Sequence, residues 1–214
     1  VNTPYSEFGP YLRGDTLYYS SYRFDNPEDD RRPPRKISKV LYVRGDGRGR
    51  PLRRDFNAPD ALTAHAAVSP SGERIYFTRC TYTDATRIRC ELYYRERDSR
   101  GRWERKANPL PAAVNLPGFT ATHPSLAFDS TLQTEVLYFT SDRPGGKGGL
   151  DIWWASLDPE KQTFSDPQPL EAVNTPEDEL TPFFHQPSQT LYFSSDGYPG
   201  FGAYDVFRIA RGAD

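Results

Sequence analysis

Methionine is absent from the 214 residues, cysteine occurs only twice, and apolar residues make up just 36%. A globular chain typically reaches about 45–50% when glycine is counted in place of tyrosine, so this core is lean in aliphatic side chains. No apolar run in the chain approaches the roughly 18–20 residues of a membrane-spanning helix, which excludes a helical membrane protein. The 20 Pro and 16 Gly interrupt the chain too often for long helices, which excludes a helical bundle. What is abundant is aromatic: 3 Trp, 14 Tyr and 13 Phe supply apolar area that the aliphatics do not.

Net charge is −2, unevenly spread. Residues 1–111 hold 22 Lys/Arg against 15 Asp/Glu, and residues 112–214 hold 5 against 14. Such a dipole orients a molecule on a charged partner, but the balance does not suit nucleic-acid binding. The basic run Arg31-Arg32-Pro33-Pro34-Arg35-Lys36 follows Glu28-Asp29-Asp30, and that mixture reads as part of an exposed loop over Phe24–Ser38. The chain opens at Val1 without a leader, as expected of a mature form or a domain cut from a longer protein.

A repeat organises the chain. Thr16-Leu17-Tyr18-Tyr19-Ser20-Ser21 returns as Arg74-Ile75-Tyr76-Phe77-Thr78-Arg79, as Val136-Leu137-Tyr138-Phe139-Thr140-Ser141 and as Thr190-Leu191-Tyr192-Phe193-Ser194-Ser195. Successive copies lie 58, 62 and 54 residues apart. An Asn stands upstream of each copy (Asn2, Asn57, Asn115, Asn174), and a second strand-like segment follows each (Lys39–Arg44, Glu91–Arg95, Asp151–Ala155, Asp205–Ala210). Tyr, Phe, Trp, Val and Ile dominate these segments, and the joins carry Gly, Pro, Asp and Asn, which is the grammar of strands and turns. In the third copy, Pro124–Phe128, Val136–Ser141, Ile152–Ser156 and a Pro-blunted Thr163–Leu170 read as strands a to d. Four antiparallel strands per repeat predict an all-β fold, a β-propeller with four recognisable blades at about 1–57, 58–111, 112–170 and 171–214. The last blade is expected to lack its outer strand, and a longer parent protein is expected.

Ser141-Asp142-Arg143-Pro144-Gly145-Gly146-Lys147-Gly148-Gly149-Leu150-Asp151-Ile152-Trp153 resembles the signature of the TolB-like propeller repeat. Ser195-Asp196-Gly197-Tyr198-Pro199-Gly200-Phe201-Gly202-Ala203-Tyr204-Asp205-Val206-Phe207 is similar, and so is Val173-Asn174-Thr175-Pro176. The match is close in the third and fourth copies, partial in the first and weak in the second. The resemblance is to propellers of periplasmic, OmpA-family, PorE-like lipoproteins of Bacteroidota, a layout that a component of type IX secretion shares. It implies a periplasmic, non-catalytic interaction platform with an envelope or secretion-system protein as partner. Peptidoglycan would be reached only through neighbouring domains outside these residues.

Within the signature, Asp142, Asp151, Asp196 and Asp205 flank Gly-rich loops between strands b and c, where Asp side chains ordinarily accept backbone N–H groups. Cation binding by the paired carboxylates is the alternative. Arg143, Lys147, Tyr198, Phe201 and Tyr204 on the same loops are the expected partner contacts, because Arg and aromatics favour interfaces. Cys80 and Cys90 fall at the end of strand b and the start of strand c of the second copy. Facing each other across Thr81–Arg89, they are expected to form a disulfide in an oxidising compartment. A zinc site does not fit their spacing.

His65 and His123 share one repeat position, occupied elsewhere by Gly9 and Thr181, with Glu7 and Glu179 two residues before the latter pair. These side chains suggest a metal site only weakly, and no metal or cofactor is expected. His185 reads as polar filler. Neither a Gly-x-Ser-x-Gly nucleophile nor a His-Glu-x-x-His helix occurs, so no enzyme is expected. The alternative reading is a glycan-binding or glycan-cleaving propeller.

Overall fold

The computed structural model describes residues 2–53, 56–84 and 86–210. Four antiparallel sheets follow one another along the chain, each within one of the expected repeat segments. Sheet one is β1 (Glu7–Arg13), β2 (Thr16–Asp25), β3 (Lys36–Arg44) and β4 (Arg50–Pro51). Sheet two is β5 (Leu62–Val68), β6 (Arg74–Tyr82), β7 (Ile88–Glu96) and β8 (Asn108–Pro109). Sheet three is β9 (Ala121–Asp129), β10 (Thr134–Ser141) and β11 (Asp151–Asp158), with β12 (Thr163–Phe164) and β13 (Gln168–Pro169) both on β11. Sheet four is β14 (Glu179–His185), β15 (Thr190–Ser195) and β16 (Asp205–Ala210). A 3-10 turn at Gln186–Ser188 is the sole helical element among the described residues. These sheets are the blades of a four-blade β-propeller fold.

The chain forms two compact units, Val1–Pro109 and Leu110–Asp214, each with two sheets. The sequence boundary between basic and acidic halves coincides with this division, because Leu110 and Pro111 carry no charge. In the first unit a buried cluster of Tyr18, Val40, Phe56, Ala66, Val68, Ile75 and Phe77 joins sheets one and two. In the second, Ala127 packs with Phe184 and Leu191, and Ile152 with Val173 and Phe193. The aromatic and β-branched residues of the repeat are thus buried where two blades meet. Phe56 and Phe77 stack at 4.0 Å between ring centroids, which shows how aromatics fill a core short of aliphatics.

The repeated Asn side chains explain themselves in the packing. Asn57 Oδ1 accepts the Val40 N–H, and its Nδ2 donates to the Val40 and Leu52 carbonyls. Asn174 makes the same pair of bonds with Ile152, at the matching place in β11. Each side chain continues the ladder of a third strand where its two-residue outer strand has ended. The outer strands share a sequence mark. Pro51, Pro109 and Pro169 are each followed by Leu, and the N–H groups of Leu52 and Leu170 donate to Val40 and Ile152. Proline at that place blunts an edge.

Two expected boundaries move. Strands β2 and β3 run further than the predicted loop Phe24–Ser38 allows, since Phe24 pairs with Ile37 and Asp25 with Lys36. Ile37 is buried against Leu62 and the cystine, and that burial holds the strand extension in place. Cys80 and Cys90 do form the disulfide, directly opposite each other in β6 and β7. They do not end those strands, however; pairing continues to Tyr82 and Ile88. Replacing both with Ala is expected to lower stability by about 2–3 kcal/mol, the value for closing so short a loop. A denaturant midpoint unchanged from that of the oxidised parent would show that the hairpin needs no staple.

Candidate functional site

The first strand of each blade carries the same irregularity. Gly9, His65, His123 and Thr181 all adopt φ between 52° and 58°, and pairing with the second strand slips at each of these places. A left-handed residue in a β-bulge re-aims the side chains around it. Three of the four are not glycine, a local cost met by the surrounding packing. At Gly9 the neighbour leaves no choice: a Cβ would stand 2.8 Å from His65 Nδ1. The His65 N–H donates to Ser20 Oγ in the neighbouring blade, and its ring lies 5.3 Å from Phe8. The His123 imidazole is pushed down to about 4 by desolvation, so it is neutral at pH 7. Among the described residues no group of three or more His, Cys, Asp or Glu is placed to hold a metal.

Two residues before Gly9 and Thr181 stand matching carboxylates. Glu7 accepts from the Thr3 N–H, the Thr3 hydroxyl and Ser21 Oγ. Glu179 accepts the same three bonds from Thr175 and Ser195. The shared Asn-Thr-Pro segments therefore encode a clasp that ties the entry of the blade to its first two strands. Glu179 is fully buried, whereas Glu7 is partly exposed. Desolvation opposes ionisation of Glu7, but the bonds from Thr3 and Ser21 outweigh it and hold the carboxyl below its ordinary range.

The Gly-rich loops are occupied with their own architecture. Asp151 Oδ2 accepts the N–H groups of Lys147 and Gly148, and Asp205 Oδ2 those of Phe201 and Gly202. Asp142 accepts from Thr120 and Asp196 from Asp178. The five residues expected at a partner face divide. Arg143 is only 7% exposed; its guanidinium donates to the Ala113 and Val114 carbonyls and to Ser141 Oγ. Tyr198 donates to the Val173 carbonyl, so the two side chains clasp the matching Val-Asn segments of their blades. The polar tips of both are spent on carbonyls of their own blades. Lys147 pairs with Glu171 and Tyr204 with Asp178. Phe201 alone of the five projects fully into solvent. Sequence reasoning saw the residue types but not this inward turn, although the Val-Asn segments they grip were visible as repeats.

No family model matches the chain, and no curated protein does. Solved structures do. An α-L-arabinofuranosidase from Lactobacillus brevis matches at a TM-score of 0.54 and 11% identity, over 92% of this chain and 67% of that one. An exo-β-1,3-galactanase from Clostridium thermocellum matches at 0.51 and 13%, over 90% and 42%. An exo-1,5-α-L-arabinanase from a bovine ruminal metagenomic library matches at 0.51 and 14%, over 93% and 68%. At such identities the likeness is one of fold. The chain spans less than half the length of the galactanase.

These matches correct two expectations, the non-catalytic envelope scaffold and the absence of enzyme activity. Structures of this fold include enzymes named for cleaving arabinan and galactan, so a propeller repeat without a serine or zinc motif does not imply a scaffold. The loops on which the scaffold reading rested are, moreover, largely engaged in holding their own blades.

Proposed function

We propose that this chain belongs to a glycan-active β-propeller, one that binds or hydrolyses a polysaccharide. The observation that carries this reading is the fold it shares with the arabinofuranosidase, the galactanase and the arabinanase. Glycoside hydrolysis needs carboxylates beside the scissile bond. Of the paired repeat carboxylates, Glu179 is enclosed by its clasp, while Glu7 is accessible and held ionised. An ionised carboxylate serves as base, nucleophile or stabiliser of positive charge, and not as the proton donor. The disulfide supports a place in an oxidising compartment, the periplasm or the cell exterior.

Incubation with arabinan, galactan and acidic polysaccharides, followed by reducing-end release and thermal shift, tests the reading. The expected result is stabilisation by at least one oligosaccharide, with any hydrolysis cut about a hundredfold or more in Glu7→Gln. Neither release nor stabilisation by any glycan would end the proposal.

A further inference from the structure

A cleft of about 460 Å³ lies between sheets one and two, where β2 begins and β3 and β7 end. Five arginines line it: Arg44, Arg53, Arg95, Arg97 and Arg102. Among the described residues lining it there is no carboxylate. Among the described residues two acids answer from outside the lining, Asp15 at 3.8 Å from Arg44 and Asp98 at 3.0 Å from Arg102. Positive charge therefore exceeds negative around this opening, within the unit that carries the basic half of the chain.

The floor is aromatic. Tyr18 and Phe56 belong to the buried cluster there, and Tyr42 and Trp103 pack against it half-buried. The guanidiniums are placed before any ligand arrives. Arg95, almost wholly buried, donates to the Glu104 carbonyl and lies over the Phe56 ring at 5.2 Å. Arg97 donates to the Gly72 and Gly101 carbonyls and stacks on Trp103 at 4.0 Å. Arg44 and Arg53 are exposed at the rim. Fixed guanidinium forks match the two oxygens of a carboxylate or the face of a sulfate, and the half-buried rings of Tyr42 and Trp103 offer apolar surface to a sugar ring.

We infer that this cleft binds the anionic group of an acidic sugar, a uronate carboxylate or a sulfate ester carried on a glycan chain. The inference rests on the glycan reading above and names its ligand class. Arg44 at the rim donates to Thr16 Oγ1 and makes an exposed, 3.8 Å ion pair with Asp15, both on the edge of the opening.

The test is calorimetric titration of the intact chain with an oligogalacturonate, a sulfated oligosaccharide, a neutral arabino-oligosaccharide, inorganic sulfate and polyphosphate. It compares the parent, the rim variant Arg44→Gln/Arg53→Gln and Trp103→Ala. The rim side chains are exposed, so that variant keeps the fold even if Trp103→Ala does not. Binding of one acidic oligosaccharide, weakened about tenfold or more in the rim variant and by added salt, supports the inference. Binding of the neutral sugar alone, unchanged in the rim variant, overturns it and leaves the glycan reading standing. Equal affinity for inorganic sulfate or polyphosphate also overturns it, since the cleft would then read charge without sugar. Absence of binding to any oligosaccharide, neutral or acidic, overturns both.

Discussion

Arg143→Ala will lower the stability of the folded chain by about 3–4 kcal/mol, the cost of stripping a buried, multiply bonded charge from its partners. The guanidinium lies between the rings of Phe139 and Trp153, at 4.9 and 5.2 Å from their centroids. Its donors satisfy two carbonyls of the segment that enters the third blade. Desolvation pulls its pKa down to about 10, against the pull of Asp142 in the other direction, so the group is buried at a cost and still charged at neutral pH. Alanine leaves those carbonyls without donors and opens a gap between two aromatic rings. Arg143→Lys should recover part of the loss, because one ammonium cannot span both carbonyls and Ser141 in the planar geometry of the guanidinium. Chemical denaturation of the three proteins measures this. Equal midpoints for the parent and the alanine variant would return Arg143 to the role of a surface contact.

Acidification will destabilise the protein through His123 between about pH 6.5 and 4. The imidazole is neutral in the fold down to about pH 4 because burial penalises its charge, whereas in the unfolded chain it takes a proton near 6.5. Across that window the unfolded state binds the extra proton, so stability rises with pH and is fully present above 6.5. The integrated loss by pH 4 is on the order of 3 kcal/mol. His123→Asn is the matched control, since asparagine tolerates the left-handed backbone at this place and does not titrate. The slope of stability against pH should flatten in that variant over the window. An identical slope in both proteins would assign the acid sensitivity to carboxylates. Asp84, Asp98 and Asp158 are held below the ordinary carboxyl range, chiefly by backbone N–H bonds, and titrate beneath this window.

The architecture was legible because it is repeated. Leu-Tyr-Phe strands such as Val136–Ser141 must be apolar on both faces to lie between neighbouring blades, and that demand writes itself four times into the chain. The cystine was legible because Cys80 and Cys90 stand at matching distances from one turn. The Asn positions were visible as a recurrence, but their work was not, since Asn57 and Asn174 bond to strands 17 and 22 residues away. A side chain's direction at a loop is settled by such distant carbonyls. For that reason Arg143 and Tyr198, read as outward contacts, turn inward to Val114 and Val173.

The arginine cleft escaped sequence reading for the same reason. Arg44 and Arg53 come from the first blade, Arg95, Arg97 and Arg102 from the second, and nothing local to either segment marks them as neighbours. The sequence by itself determined the all-β class, the four blades and the pairing of the cysteines, because each follows from periodicity and short-range geometry. Tertiary structure alone decided which polar groups are spent on the fold and which line the cleft. That division depends on contacts between segments from 17 to about 50 residues apart, where the chain carries no local signal.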